Sequence, residues 1–267
     1  MKVALIGLGF IGSTILNALK TTLSSKFELR AIYDIDTAKI NAVVKTFPNV
    51  RLMFNVRDFD DCDLIIEAAS QEVVNEVFNK VIRLQKYFIP MSVGAFTTYD
   101  EIYTRYSKLN EEQKKRILLP AGAIGGFDAI KAIAGVSFNE VMLETHKPLR
   151  VFLNDPYVIE HKIKLSSDKP TLIFEGNAKE AAKNFPKSIN VASRLALATL
   201  GPQRTKVKIY ADPTVKRNVH KIFINSIVGN YIFTFENYPS PANPRTSWLA
   251  ALSVVSLLSE FSSLEKK

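Results

Sequence analysis

Over the first half of the chain, short unbroken apolar runs alternate with stretches in which apolar residues recur every three or four positions. Val3 to Ile6 is continuously apolar, the pattern of a strand buried on both faces. Ile11, Ile15, Leu16 and Leu19 then follow at helical spacing. Leu29 to Tyr33 predicts a second strand ending at Asp34, Arg51 to Phe54 a short third, and Asp63 to Ala69 a fourth, again buried. Val73, Val77, Val81 and Leu84 mark the helix behind it, and Tyr87 to Val93 is a fifth strand. A charged helix over Asp100 to Lys115 leads to Ile117-Leu118-Leu119, read as the last strand of this half. Strand and helix alternating in this way predict an α/β fold, a Rossmann-type doubly wound parallel sheet with helices on both faces.

The pattern changes after Pro120. Gly122-Ala123-Ile124-Gly125-Gly126 reads as a flexible junction, followed by an apolar helix to about Ala134. Val141 to Thr145, Thr171 to Phe174 and Val207 to Tyr210 predict strands. Asn190 to Leu200 predicts a helix, which Gly201-Pro202 ends. His220 to Phe235 alternates as strand, with a turn or bulge at Gly229-Asn230. A last helix, starting near Thr246, is expected to bury Leu249, Leu252, Val255 and Leu258 against the first domain. The expected division is therefore a domain of residues 1–121, with the C-terminal segment 240–267 packed back on it, and a second, α+β domain of residues 122–239 for substrate and dimer contacts.

Composition narrows the class. A chain of 267 residues, 47% apolar and 23% charged, can bury a large core and is not disordered. Its single cysteine, Cys62, excludes an internal disulfide. No leader pattern opens the sequence and no apolar run nears the roughly 18 residues a membrane span needs, so a cytoplasmic protein without a membrane role is expected. The net charge of +9 comes from Lys and Arg spread along the whole chain. Its densest run, Lys114-Lys115-Arg116, follows Glu111-Glu112 and reads as a solvated helix end. A positive field that steers small anions is expected, and no nucleic-acid partner.

Candidate chemistry starts at Gly7-Leu8-Gly9-Phe10-Ile11-Gly12, a G-x-G-x-x-G that follows a strand and opens a helix. Gly7 permits a tight turn, Gly9 the approach of backbone to a pyrophosphate, and Gly12 close helix–strand packing. The helix start offers free N–H groups to phosphates, with Phe10 and Ile11 in its first turn. Asp34 ends the second strand, where a carboxylate accepts hydrogen bonds from ribose hydroxyls. That carboxylate favours NAD over NADP, and Lys39 nearby softens the preference. Two strand-end loops of small residues, Ala68-Ala69-Ser70-Gln71 and Ser92-Val93-Gly94-Ala95, read either as cofactor contacts, with Ala69 and Ser70 foremost, or as ordinary turns.

His146, His161 and His220 show no metal-ligand spacing, so no metal site is expected. No G-x-S-x-G elbow is present. Cys62 lies in Asp60-Asp61-Cys62-Asp63, where negative charge disfavours a thiolate, and reads as structural. His220 suits proton transfer at working pH, and by position alone it fits a structural histidine equally well. Lys147 reads as a proton-transfer group, a substrate anchor or a surface charge. Thr246 and Ser247, at the start of the last helix, would present its amide dipoles to a substrate carboxylate or simply cap it.

Taken in order, these segments resemble the L-aspartate dehydrogenase family. The blocks are GLGFIG from Gly7, EAAS from Glu67, SVGA from Ser92, GAIGGFDAI from Gly122, HKP from His146, FPKSINVA from Phe185, ADPTVKRNVHKI from Ala211 and NYPSPANPRTSWLAALS from Asn237. The first is shared by many folds, whereas the last four together are specific. The resemblance implies NAD(P)-dependent oxidative deamination of L-aspartate to iminoaspartate, which hydrolyses to oxaloacetate and ammonia or feeds NAD biosynthesis by condensation toward quinolinate. It implies that His220 is the active-site histidine, that Ala123 and Asn190 contact NAD, and that the protein is a homodimer assembled through its second domain. Phe127 and Arg245 stand where the family often has Leu and Lys, and neither change removes a proton-transfer group. Two other readings share these features. One is an oxidoreductase related to homoserine dehydrogenase or dihydrodipicolinate reductase, and the other is a non-catalytic dinucleotide sensor.

Overall fold

The computed structural model describes residues 1–186, 189–240 and 247–264. The chain forms two compact units, one of residues 1–122 with 250–267 and one of residues 123–249. The C-terminal return to the first unit thus begins at Ala250, later than the residue 240 expected from sequence.

In the first unit, β1 (Lys2–Ile6), β2 (Glu28–Tyr33), β3 (Arg51–Leu52), β4 (Leu64–Glu67) and β5 (Tyr87–Pro90) make one sheet in the order β3-β2-β1-β4-β5. Every neighbouring pair is parallel. Val3, Ala4, Leu5 and Ile6 of the central strand are each 0% exposed, because both faces are covered. The connecting helices include α1 (Phe10–Lys20), α2 (Thr37–Thr46) and α3 (Gln71–Arg83). In α3 the buried residues Val74, Val77, Phe78, Val81 and Ile82 form a single apolar stripe.

Two expectations for this unit change. The charged helix is broken after a short α4 (Ala95–Thr98) into α5 (Asp100–Ser107) and α6 (Glu111–Lys115). Asn110 causes the break: its side chain caps Gln113 N–H while Gln113 returns a bond to Asn110 N–H, which starts a new helix. Residues 117–119 are not a strand but a single bridge of Ile117 to Phe88, since Pro120 has no N–H with which to extend a ladder.

The second unit contains α7 (Phe127–Ala134), β6 (Phe138–Pro148), α8 (Pro156–Glu160), β7 (Thr171–Asn177), α9 (Ala178–Asn184), α10 (Asn190–Ala198), β8 (Lys206–Asp212), β9 (Asn218–Ser226) and β10 (Gly229–Asn237). Its sheet runs β10-β9-β6-β8-β7, parallel only between β6 and β8. The segment expected to alternate as strand, with a turn or bulge at Gly229-Asn230, is a hairpin whose turn comes two residues earlier. Its turn is Ile227-Val228, and Gly229 opens β10 opposite Ser226. One sheet face, with Val141, Leu143, Val207, Ile209, Ile222 and Ile224, shares a core with alanines of α9 and α10. Those small side chains let helix backbones sit close to the sheet. Alternate residues of the same strands, such as Met142, Tyr210 and Phe223, remain only half-buried, and Ile232 is 68% exposed.

The last helix, α11 (Trp248–Leu264), packs on the first sheet's core through Val254, Leu258 and Phe261, with Ala251 also buried. The expected stripe is corrected: Leu249 and Leu252 are exposed by 38% and 50%. Residues 248–258 are apolar almost all round, so periodicity does not select a face and the packing partner does. Among the described residues, no helix is long and apolar enough to cross a membrane.

Candidate functional site

The turn between β1 and α1 is built for backbone exposure. Gly7 has a φ of +96°, and a Cβ there would lie 2.5 Å from the Ala68 carbonyl oxygen. At Gly12 a Cβ would lie 2.1 Å from the Gly7 carbonyl oxygen, so only glycine lets α1 approach the turn. Around Gly9 a Cβ would meet nothing within 4 Å, which leaves open space over the backbone. Gly9 is also the N-cap of α1 and supplies no side-chain cap, and no acidic residue occupies the first turn. The N–H groups of Phe10 and Ile11 are therefore available to an anion, reinforced by the helix dipole. An open cradle at Gly9, closed tightly on both sides by Gly7 and Gly12, fits a dinucleotide pyrophosphate.

Asp34 is tied into that turn. Its Oδ2 accepts the Leu8 N–H at 2.6 Å and its Oδ1 accepts the Asp36 N–H at 2.8 Å. A carboxylate has about four acceptor positions, so about two remain for ribose hydroxyls. Lys39 does not stand free beside it, since its Nζ is paired with Asp36 at 3.4 Å. Asp36 caps α2, and the Lys39 N–H holds its carboxyl below the usual range.

The loops after β4 and β5 are joined by a residue that the sequence motifs do not single out. Glu67 is 0% exposed, and its Oε1 accepts the Ala69 N–H at 2.7 Å and the Ser92 hydroxyl at 2.9 Å. Its Oε2 accepts the Ser92 N–H at 3.0 Å. Burial pushes this carboxyl up to about 7 against those hydrogen bonds. The available sequence signal is an acid closing the apolar run Leu64-Ile65-Ile66. Ser70 caps α3, accepting the Val73 N–H at 3.4 Å, and its hydroxyl also bonds Glu72.

In the second unit, His220 lies on β9 between Thr145 of β6 and Phe235 of β10. It is buried, and its Nδ1 is 3.1 Å from the Thr145 hydroxyl. Either tautomer of that bond orients the ring and leaves Nε2 as the second proton-handling atom. Lys147 follows Thr145 by two positions and so shares its side of β6. Burial pulls the Lys147 ammonium down to about 8, opposed by Asp155. Burial and the charge of Lys147 together hold the imidazole of His220 down at about 3, so the ring is neutral in the working range. A neutral imidazole beside a half-buried cation is an arrangement that can accept a proton and attract an anion.

The other candidates fall as follows. Ala123 is joined to β10 by its carbonyl, which accepts the Asn237 side-chain amide at 2.7 Å. In the same segment Gly126, with φ +74°, leaves no room for a Cβ against Phe233. Asn190 is the first residue of α10, in the helical layer of this unit. Ser247 Oγ is buried without a hydrogen-bond partner among the described residues, whereas Thr246 and Arg245 lie outside them. His146 turns to the opposite side of β6 from Lys147: its Nδ1 bonds Asp212 at 2.8 Å and its ring stacks on Tyr210 at 4.6 Å. His161 is exposed and stacks on Tyr157. Cys62 is buried, and burial aided by Asp61 pushes its thiol up to about 12, in keeping with its acidic neighbours.

Comparison with known proteins divides along the same lines. Residues 7–120 match the family model described as homoserine dehydrogenase, NAD binding domain, and residues 128–261 match the one described as aspartate dehydrogenase, C-terminal. The L-aspartate dehydrogenase of Methanosarcina acetivorans is 36% identical over 261 residues, which span 97% of this chain and 96% of that protein. The L-aspartate dehydrogenase of Methanocaldococcus jannaschii is 34% identical over 260 residues, 97% of this chain and 96% of its own length. The crystal structure of aspartate dehydrogenase from Thermotoga maritima superposes with a TM-score of 0.73 at 31% identity, covering 98% of this chain and 96% of the other.

Proposed function

The chain belongs to the L-aspartate dehydrogenase family, and from that premise we propose that it catalyses NAD(P)-dependent oxidative deamination of L-aspartate to iminoaspartate. The observation that carries this reading is His220, buried and neutral, held by Thr145 with Lys147 alongside, in a chain whose glycine turn suits a dinucleotide. The second unit's own match to the aspartate enzyme favours it over a homoserine-specific oxidoreductase.

Gly7, Gly9, Gly12 and the N–H groups of Phe10 and Ile11 would hold the pyrophosphate, and Asp34 the ribose, with Ala69, Ser70, Ala123 and Asn190 as further contacts. When bound, the nicotinamide supplies a hydride acceptor for the substrate Cα–H. Lys147 anchors a substrate carboxylate, with Thr246 and Ser247 as further anchors. Burial is the main cause that depresses His220, and a carboxylate seated on Lys147 offsets the second cause, the lysine charge, so the ring becomes somewhat more basic once substrate is present. His220 then takes a proton from the water that adds to the imine carbon and returns it to the departing nitrogen, which releases oxaloacetate and ammonia. An imine that escapes this hydrolysis is available to a condensing enzyme.

NAD is favoured over NADP, because Asp34 and Asp36 put negative charge where a 2′-phosphate would lie and Lys39 is already paired. A second copy of the chain is proposed to cover the open face of the second sheet, where Ile232 and Leu172 are exposed beside half-buried Phe223 and Tyr210. The buried free thiol of Cys62 suits a cytoplasmic enzyme.

The test follows nicotinamide absorbance with L-aspartate, L-homoserine and other amino and hydroxy acids, using NAD and NADP. Preferred oxidation of L-aspartate is expected. His220→Ala is expected to cut kcat by about 10²–10⁴-fold, as for lost proton transfer, with NAD affinity unchanged. Preferred turnover of homoserine, or full activity in the variant, refutes the corresponding part. NADH binding with no turnover of any substrate would instead identify a sensor.

A further inference from the structure

Glu67 is a buried acid that the reaction does not consume. It ends β4 beside Pro90 of β5, so it sits where two neighbouring strands of the first sheet release their loops. A carboxylate removed from water is costly unless donors surround it. Here the donors are the N–H groups of Ala69 and Ser70 from one loop, and the N–H and hydroxyl of Ser92 from the other. Both oxygens are used, and one side chain therefore fixes the separation of two loops. A third loop is keyed to the same point, because the Ala68 carbonyl lies against Gly7 so closely that a Cβ there would be 2.5 Å away.

We infer that Glu67 is a positioning residue for the dinucleotide, clamping the loops after β4 and β5 against the glycine turn without itself touching the cofactor. This rests on the reading of the first unit as the NAD site. Backbone that binds a cofactor must be held before the cofactor arrives, or part of the binding free energy is spent on ordering it. Glu67 does this with four charge-assisted or buried hydrogen bonds, a stronger tie than two separate turns would have. A glutamine in its place keeps one acceptor oxygen and turns an NH2 group toward donors, so at least one loop is released.

Glu67→Gln is the test, with NAD affinity measured by titration and steady-state kinetics in parallel. The expected result is a rise in the Kd and KM for NAD of about tenfold, the loss of one hydrogen bond to a charged group. The kcat at saturating NAD and the KM for L-aspartate are expected to stay within about twofold, since proton transfer lies elsewhere. A purely structural role would lower the melting temperature without that split between KM and kcat. Ser92→Ala removes one of the four donors and leaves the acid in place. It is expected to raise the Kd for NAD in the same direction by a smaller factor, and it decides the matter if the glutamine variant does not fold. Wild-type NAD affinity in Ser92→Ala, or in a folded Glu67→Gln protein, overturns the clamp while leaving the cofactor site intact. A wild-type protein that binds no NAD overturns both.

Discussion

Replacing His220 with Asn removes a titrating group whose folded-state behaviour the structure makes specific. The ring is held at about 3 by burial first and by the charge of Lys147 second, against an ordinary value of 6.5. A histidine depressed in this way binds fewer protons folded than unfolded, so its contribution to stability is full above 6.5 and is lost as pH falls toward 3. Each tenfold change in proton affinity corresponds to about 1.4 kcal/mol, so the whole window is worth on the order of 5 kcal/mol. The part between pH 7 and pH 5 is about 2 kcal/mol. Glu67, raised to about 7, acts in the opposite sense over part of the same range, because it binds more protons folded than unfolded. The measurement is therefore the difference between wild type and His220→Asn, by urea unfolding at several pH values, in which Glu67 cancels. The wild type is expected to lose about 2 kcal/mol relative to the variant on going from pH 7 to pH 5. Nuclear magnetic resonance of the ring should show no titration of His220 above pH 5. A stability difference that is flat with pH, or a ring that titrates near 6.5, would refute the reasoning.

Three further outcomes follow from single positions. Gly12→Ala forces its new Cβ against the Gly7 carbonyl, so the turn must open by about 1 Å, at an overpacking cost of about 1–3 kcal/mol, and NAD affinity by calorimetry is expected to fall at least tenfold. Cys62 is buried with a thiol raised to about 12, so a disulfide-exchange reagent at pH 8 is expected to label it only after denaturation; rapid labelling of folded protein would contradict the packing. Ile232→Lys puts a charge on the open face of the second sheet and is expected to halve the mass seen by light scattering while the fold persists; an unchanged mass argues that copies meet elsewhere.

Legibility from sequence tracks how local the deciding interactions are. The turn from Gly7 to Gly12 and the strand before it are readable, because the glycine spacing and the contact of Gly12 with the Gly7 carbonyl lie within ten residues, even though the Ala68 carbonyl that also crowds Gly7 comes from the end of β4. Helix α2 is not, since its only buried residue is Val43 and no stripe marks it. The turn between β9 and β10 reads two residues late, at Gly229-Asn230, because Ile227-Val228, an exposed apolar pair, looks like strand. The face of α11 cannot be chosen from a helix that is apolar all round. In the candidate site, His220 and Lys147 stand out in the sequence, but their shared side of the sheet with Thr145 requires the pairing of β6 with β9. Glu67 is hidden for the same reason: its partner Ser92 is 25 residues away and joins it only through the sheet.

The double duty of Asp34 constrains how this enzyme could be re-engineered. Swapping that acid for a neutral or basic residue is the obvious route to accepting a phosphorylated cofactor, yet it would also strip the Leu8 amide of its acceptor. Under the proposed function, charge discrimination would rest on the same pair of oxygens that holds the loop. A successful switch of cofactor must therefore supply a substitute acceptor for Leu8, and evolution of the trait would be expected to proceed through coupled rather than single replacements.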